Sequence, residues 1–326
     1  MKAELQNRQG YEFFDLEPTT DVMREEVIAG LRSDPKHIAP KFFYDEQGSE
    51  LFEAITRLPE YYLTRTEMAL FDRHEDQIAQ AMGGGGCLVE YGSGSSAKIR
   101  KLLKNVRPKA YVPVDISRDP LQDSSRQLHD DFPWLQIYPV CADFTEAFAL
   151  PERVQGLSKV GFFPGSSIGN FRPDEAVDFL VKVIRTLGPA SRFLVGVDTK
   201  KSTEALEAAY NDSQGLTAQF NENMLQHLNV KLQADFDVDQ FTHQARYNED
   251  EGCIQMFLES SVAQTANIGS QQIHFAQGET VHTENSYKYH PTEFEALATE
   301  AGFQVKDMWT DERRWFGVYL LETVQT

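Results

Sequence analysis

The sequence predicts an α/β protein whose doubly wound, mainly parallel sheet is interrupted by an α+β insertion. Short apolar runs alternate with helix-length stretches between Cys87 and Val197, the pattern of strands joined by crossover helices. After Lys201 the alternation stops, and from Pro291 a helix and two strand-like runs resume it. At 326 residues the chain is also longer than a usual single domain.

In chain order, Val22, Met23, Val27, Ile28 and Leu31 recur at helical spacing and predict a helix from the cap Asp21 to about Arg32, before Pro35. Residues 42–49 read as a turn, and Leu51, Phe52, Ile55 and Leu58 as a helix that Pro59 ends. Another helix is expected from a Thr66 cap to about Met82, closed by Gly83 to Gly86. Strands are expected at 87–91, 110–114, 135–140, 160–163 and 192–197, with helices near 98–104, 120–130 and 174–187. A long helical run from Ser202 to about Leu228 then precedes strand-like 236–247, 252–263 and 271–279. The tail reads as a helix over 291–300 and an edge hairpin, 303–309 with 315–322. No internal repeat is found.

The chain carries 31 basic and 50 acidic residues, a net charge of −19, which repels phosphate backbones and anionic membranes alike. Nucleic-acid and membrane partners are not expected, whereas a small zwitterion is compatible. Cys87, Cys141 and Cys253 are too scattered for a disulfide framework or a CxxC metal site, and the histidines lack ligand spacing. No metal is expected, and no apolar leader or span of ~20 residues is read. The cytoplasm fits these features.

The run Glu90-Tyr91-Gly92-Ser93-Gly94-Ser95-Ser96 follows a short apolar strand, as a cofactor loop does. With Ala97 it also satisfies the dinucleotide pattern G-x-G-x-x-G/A, and Asp115 follows about 20 residues later. Glycines there permit a tight turn, and a strand-end carboxylate can accept from both ribose hydroxyls. Three details favour S-adenosylmethionine over a nicotinamide cofactor. Glu90 stands where a carboxylate can meet the donor's amino-acid end. Asp143-Phe144 offers an acid for an adenine amine and a ring to stack. The serines suit a zwitterion. Lys98 opens the next helix, where a cation opposes the dipole unless it holds a carboxylate. A tight βα turn without ligand is the bland alternative.

Six segments spread along the chain resemble the histidine-specific N-alpha-methyltransferases of ergothioneine biosynthesis. They are residues 41–49 (KFFYDEQGS), 60–67 (EYYLTRTE), the loop, 163–171 (FPGSSIGNF), 209–212 (AYND) and 283–288 (TENSYK). The resemblance implies a Rossmann-like class I methyltransferase domain, 65–201 with 289–326, and an inserted α+β substrate domain, 9–64 with 202–288. It implies three methyl transfers from S-adenosylmethionine to the α-amine of free L-histidine. Asn170 and Tyr210 then clamp the substrate carboxylate, Tyr44 lies close to the amine as the catalytic candidate, Tyr61 lines the pocket and Met256 forms its wall. Glu284 and Ser286 read the imidazole, since a carboxylate accepts from one ring N–H while a hydroxyl serves the other nitrogen. A relative acting on another amino acid such as tryptophan, a nicotinamide-dependent oxidoreductase, and a sensor without turnover are the competing readings.

Overall fold

The computed structural model describes residues 10–94 and 97–324, so Ser95 and Ser96 of the glycine loop and residues 1–9 lie outside the described part. Two compact units emerge: residues 10–17, Leu63–Lys200 and 289–324 form one, and Pro18–Tyr62 with Lys201–Lys288 the other.

The first unit is built on one sheet. Its strand order is Phe14–Asp15, Val140–Cys141, Ala110–Asp115, Cys87–Tyr91, Lys159–Phe163, Arg192–Asp198, Phe316–Thr323 and Phe303–Thr310, with Gln136–Ile137 also pairing beside Ala110–Asp115. Every pairing is parallel except the two made by Phe316–Thr323. The glycine strand Cys87–Tyr91 is buried throughout, which is why it reads as an apolar run interrupted only by Glu90. The sequence winds outward from it first toward Ala110–Asp115 and then, in the other direction, toward Lys159–Phe163. Ligands bind sheets of this kind at such a reversal, outside the carboxyl ends of the strands. Helices Ala97–Val106, Arg118–Asp131, Pro173–Leu187 and Pro291–Glu300 fall where the periodicity places them.

Three expectations for this unit change. The segment 10–17 belongs to the sheet rather than to the insertion, because Phe14–Asp15 pairs in parallel with Val140–Cys141. The helix expected to start at Thr66 begins at Tyr62 and kinks at His74, so Thr66 is interior to it. The strand expected over 135–140 splits in two, and its Pro139 has no N–H to lend to a ladder.

The second unit packs helices Thr20–Arg32, Glu46–Ile55, Thr203–Ala208 and Leu216–Leu232 with a four-stranded sheet. That sheet runs Lys36–His37, Thr280–Tyr287, Cys253–Ser260, Phe241–Asn248. Thr19, not Asp21, caps the first helix, accepting from Val22 N at 3.4 Å. Asp45 caps the second, accepting from Gly48 N at 2.7 Å and from Asn223 Nδ2 at 2.8 Å. The long helical run expected from Ser202 is in fact two helices. Asp212 separates them by accepting from the backbone N–H groups of Gln214, Leu216 and Thr217. Side-chain acceptance of this kind satisfies the orphan donors of a helix start and so begins a new one. Instead of one strand over 271–279, Gln264–Ile268 and Gln271–Phe275 form a separate hairpin, and an unexpected strand follows at Thr280–Tyr287.

All three cysteines are buried thiols: Cys87 and Cys141 in the first unit, Cys253 in the second.

Candidate active site

In the first unit, the glycine loop turns over an aromatic bed. Tyr91 lies edge-on to Phe144, Phe163, Phe179 and Phe193, with centroids 5.8–6.4 Å apart. Each such contact adds about 1 kcal/mol beyond burial, which holds the strand end still. Gly92 and Gly94 both have positive φ, 67° and 47°, a conformation that costs residues with a Cβ. Gly94 N donates to Asp115 Oδ2 at 3.0 Å, and Ser117 N to Asp115 Oδ1 at 2.9 Å. The carboxylate is thus fixed at its strand end with lone pairs to spare. Burial nonetheless lifts its pKa above the ordinary value, against those hydrogen bonds.

Glu90 is deeply buried and accepts from the Tyr111 hydroxyl. Burial pushes it up to about 8, with the Tyr111 bond and the Lys98 charge pulling the other way. Asp143 accepts from Thr145 N at 3.0 Å and Thr145 Oγ1 at 2.6 Å. The Phe144 ring lies 3.6 Å from where a Cβ on Gly92 would stand. Ser93 Oγ is buried and, among the described residues, has no hydrogen-bond partner. An orphaned hydroxyl on a left-handed loop, a pinned strand-end carboxylate and a neighbouring ring fit a nucleoside with a polar tail.

Lys98 pairs with Glu67 at 2.6 Å. Glu67, wholly buried, also accepts from Gly165 N at 2.9 and 3.0 Å. Gly196 has no side chain because the Glu67 carboxylate occupies that space. The sequence gives no sign of this bond, since nothing in it says which carboxylate Lys98 meets. Through Gly165, Glu67 anchors the turn preceding the short 3-10 segment Ser167–Asn170 that carries Asn170.

In the second unit, an aromatic row joins three of the expected residues. Tyr44 packs edge-on against Phe52 at 5.8 Å, Phe52 against Tyr61 at 6.2 Å, and Tyr61 against Tyr210 at 6.2 Å. Tyr210 Oη donates to Ser286 Oγ at 2.8 Å. Lys288 Nζ donates to Ser286 Oγ at 2.8 Å and to Tyr210 Oη at 3.1 Å. Met256 is the cross-strand partner of Glu284, and Ile254 of Ser286. Glu284 is buried, and burial pushes it up to about 7 while the Lys288 charge pulls it down.

A β-bulge lies within this arrangement. Phe257 pairs with His282 and Met256 with Glu284, so Thr283 is the extra residue. Before it Val281 is buried, Thr283 is buried itself, and after it Glu284 and Ser286 are buried. The inserted residue shifts the inward numbering by one, so that Val281, Glu284 and Ser286 share one face. Lys288, two residues on, is buried as well. It closes the segment 283–288 on which the resemblance rests, and the resemblance gives it no separate role.

The family model described as histidine-specific methyltransferase, SAM-dependent, matches residues 23–323. The chain is 39% identical over 306 residues to the histidine N-alpha-methyltransferase of Mycolicibacterium smegmatis, covering 92% of this chain and 94% of that protein. It is 38% identical to the enzyme of the same description in Mycobacterium tuberculosis, covering 91% and 94%. Ergothioneine biosynthesis protein 1 of Neurospora crassa is 28% identical over 89% of this chain and 33% of its own length. A match over nearly the whole length decides between the two cofactors that the loop pattern admits: the chain belongs to the histidine-specific, S-adenosylmethionine-dependent methyltransferases.

Proposed function

We propose that this chain transfers three methyl groups in succession from S-adenosylmethionine to the α-amine of L-histidine, giving N-alpha,N-alpha,N-alpha-trimethylhistidine (hercynine) for ergothioneine biosynthesis. The observation that carries the substrate is the buried pair Glu284 and Ser286, two residues apart on the inward face of Thr280–Tyr287. An acceptor and a hydroxyl two residues apart on a strand suit a ring with one N–H and one lone pair, and leave an unpaired polar group against any apolar side chain.

Gly92, Gly94, Asp115, Asp143, Phe144, Glu90 and Lys98 are assigned to the donor. When bound, it supplies a methyl already activated by a positive sulfur. The protein's own task is then alignment and removal of water from the amine. Tyr61, Tyr210, Asn170 and Met256 are assigned to histidine, with Asn170 and Tyr210 on its carboxylate. An amine must lose its proton before it can attack, and Tyr44, acting directly or through water, is the group assigned to the amine end. A net charge of −19 opposes nucleic-acid substrates, and no described helix is long and apolar enough to cross a membrane. A free amino acid in the cytoplasm is the reading in keeping with both.

The test is to incubate purified protein with the donor and each free amino acid in turn, then weigh the products. Histidine gaining three methyl groups supports the reading; methylation of tryptophan or another amino acid alone overturns it. Glu284→Ala is expected to weaken histidine binding by about a hundredfold, the scale on which unpaired polar groups discriminate, with donor affinity kept within about twofold. Equal loss of both affinities removes Glu284 from its role.

A further inference from the structure

The turn that carries Tyr210 is held through its backbone by a histidine whose proton has a fixed place. His243 Nε2 lies 3.0 Å from Tyr210 O, and a carbonyl only accepts, so this nitrogen carries the proton. His243 Nδ1 lies 2.8 Å from Asn221 Nδ2, and the same amide nitrogen donates to Phe257 O at 2.9 Å. The Phe257 carbonyl decides which way the amide faces, because the amide oxygen in that place would set acceptor against acceptor. Nδ1 is therefore an acceptor, and the ring is the neutral Nε2–H tautomer. Asn221 is wholly buried on helix Leu216–Leu232, so losing either bond leaves a polar group unpaired. The bonds run from Phe257, beside the bulge, through Asn221 and His243 to the backbone of Tyr210, all within the second unit. On its other side Tyr210 N donates to Glu207 O at 3.1 Å.

We infer that His243 is a positioning residue: in its neutral form it sets the Tyr210 turn, and with it the hydroxyl that meets the carboxylate of L-histidine. This rests on the L-histidine reading above, which assigns Tyr210 to that carboxylate. Protonating His243 puts an N–H at Nδ1 against the Asn221 N–H, and turning the amide over instead sets its oxygen against Phe257 O. Either way a buried group is left unpaired and the hold on Tyr210 loosens. Burial keeps His243 below its ordinary 6.5, with the Tyr210 carbonyl and Asp212, in the turn after Tyr210, pulling the other way. The other elements packed on its strand bring three carboxylates. Glu222, on helix Leu216–Leu232, is met by the His243 backbone N–H. Glu259, on strand Cys253–Ser260, accepts from Gln244. Glu207, on helix Thr203–Ala208, accepts from Tyr247 N at 3.0 Å.

The experiment is a double-mutant cycle on the whole chain, with L-histidine affinity measured by calorimetry in the presence of S-adenosylhomocysteine. His243→Leu is expected to weaken L-histidine binding about tenfold, the scale of one buried group left unpaired, while S-adenosylhomocysteine binding stays within about twofold. In a Tyr210→Phe background the same change should cost less than about threefold, because His243 acts through the Tyr210 hydroxyl. An unchanged factor in that background, or no loss in His243→Leu, overturns the assignment. His243→Gln, which can both accept and donate, covers the case in which the leucine variant does not fold. It is expected to recover most of the loss, and glutamine as weak as leucine overturns the assignment. As pH falls from about 7 to about 5, the wild type should lose L-histidine affinity more steeply than His243→Gln, by about threefold or more. The ligand's own ring titrates alike in both and cancels in the comparison, so parallel profiles overturn the assignment. Wild-type protein that binds S-adenosylhomocysteine but not L-histidine overturns the L-histidine reading itself.

Discussion

Glu284 is held in an environment that opposes its charge, and that opposition has a measurable sign. Its ordinary value of 4.5 rises to about 7 through burial, with Lys288 only partly offsetting it. The folded state therefore holds this proton more tightly than the unfolded chain. Stability from this group is fully present below about pH 4.5, declines as pH rises toward 7 and is lost above it. Unfolding free energy measured in pH steps should show this decline, at most on the order of 3 kcal/mol, and Glu284→Gln should remove it. Glu90, raised to about 8 by burial, extends the same decline to higher pH, so Glu90→Gln should flatten the portion above 7. A wild-type profile that instead rises from pH 5 to 8 contradicts both assignments. At this scale the sequence carries residue types but not their partners. Glu284 and Ser286 gain roles through resemblance; Lys288 and Glu67 stand in the same resembling segments without one, and only the folded chain shows their bonds to Ser286 and Gly165.

Elements whose burial is apolar were readable in advance, and those whose burial is polar were not. Cys87–Tyr91 and Pro173–Leu187 announce themselves through apolar periodicity. Thr280–Tyr287 buries Thr283, Glu284 and Ser286, so its inward face looks like an outward one, and its bulge breaks the period of two. The single helix expected after Ser202 failed for a local reason: Asp212 competes for backbone N–H groups and starts a second helix. Deleting Thr283 tests the importance of the bulge. Without it, Glu284 and Ser286 stay opposite Met256 and Ile254 and in step with Val281, so both keep the inward face. Histidine binding should then weaken by no more than about tenfold, with donor binding kept, both read by calorimetry. A loss of more than about a hundredfold would show that the local kink, and not the ladder alone, sets the site.

For the whole molecule, the chain passes between its two units four times, after residues 17, 62, 200 and 288. The break in alternation after Lys201 coincides with one of these passages. The first passage is not legible in the sequence, because a two-residue strand such as Phe14–Asp15 leaves no periodic trace. A net charge of −19 makes the folded chain repel itself, so its melting temperature should climb as salt rises from about 10 mM to 150 mM, where screening shortens to roughly 8 Å. A melting temperature that falls over that range contradicts this view. The three buried thiols extend the point from stability to kinetics. Burial pushes Cys87 and Cys141 up to about 12, so in the folded protein they are neither reachable nor ionised. They serve as internal clocks: a thiol reagent can stamp Cys87 or Cys141 only in molecules whose sheet unit has opened, and Cys253 only where the inserted unit has. Digesting the protein after brief labelling would show from the order of the stamped peptides which unit comes apart first.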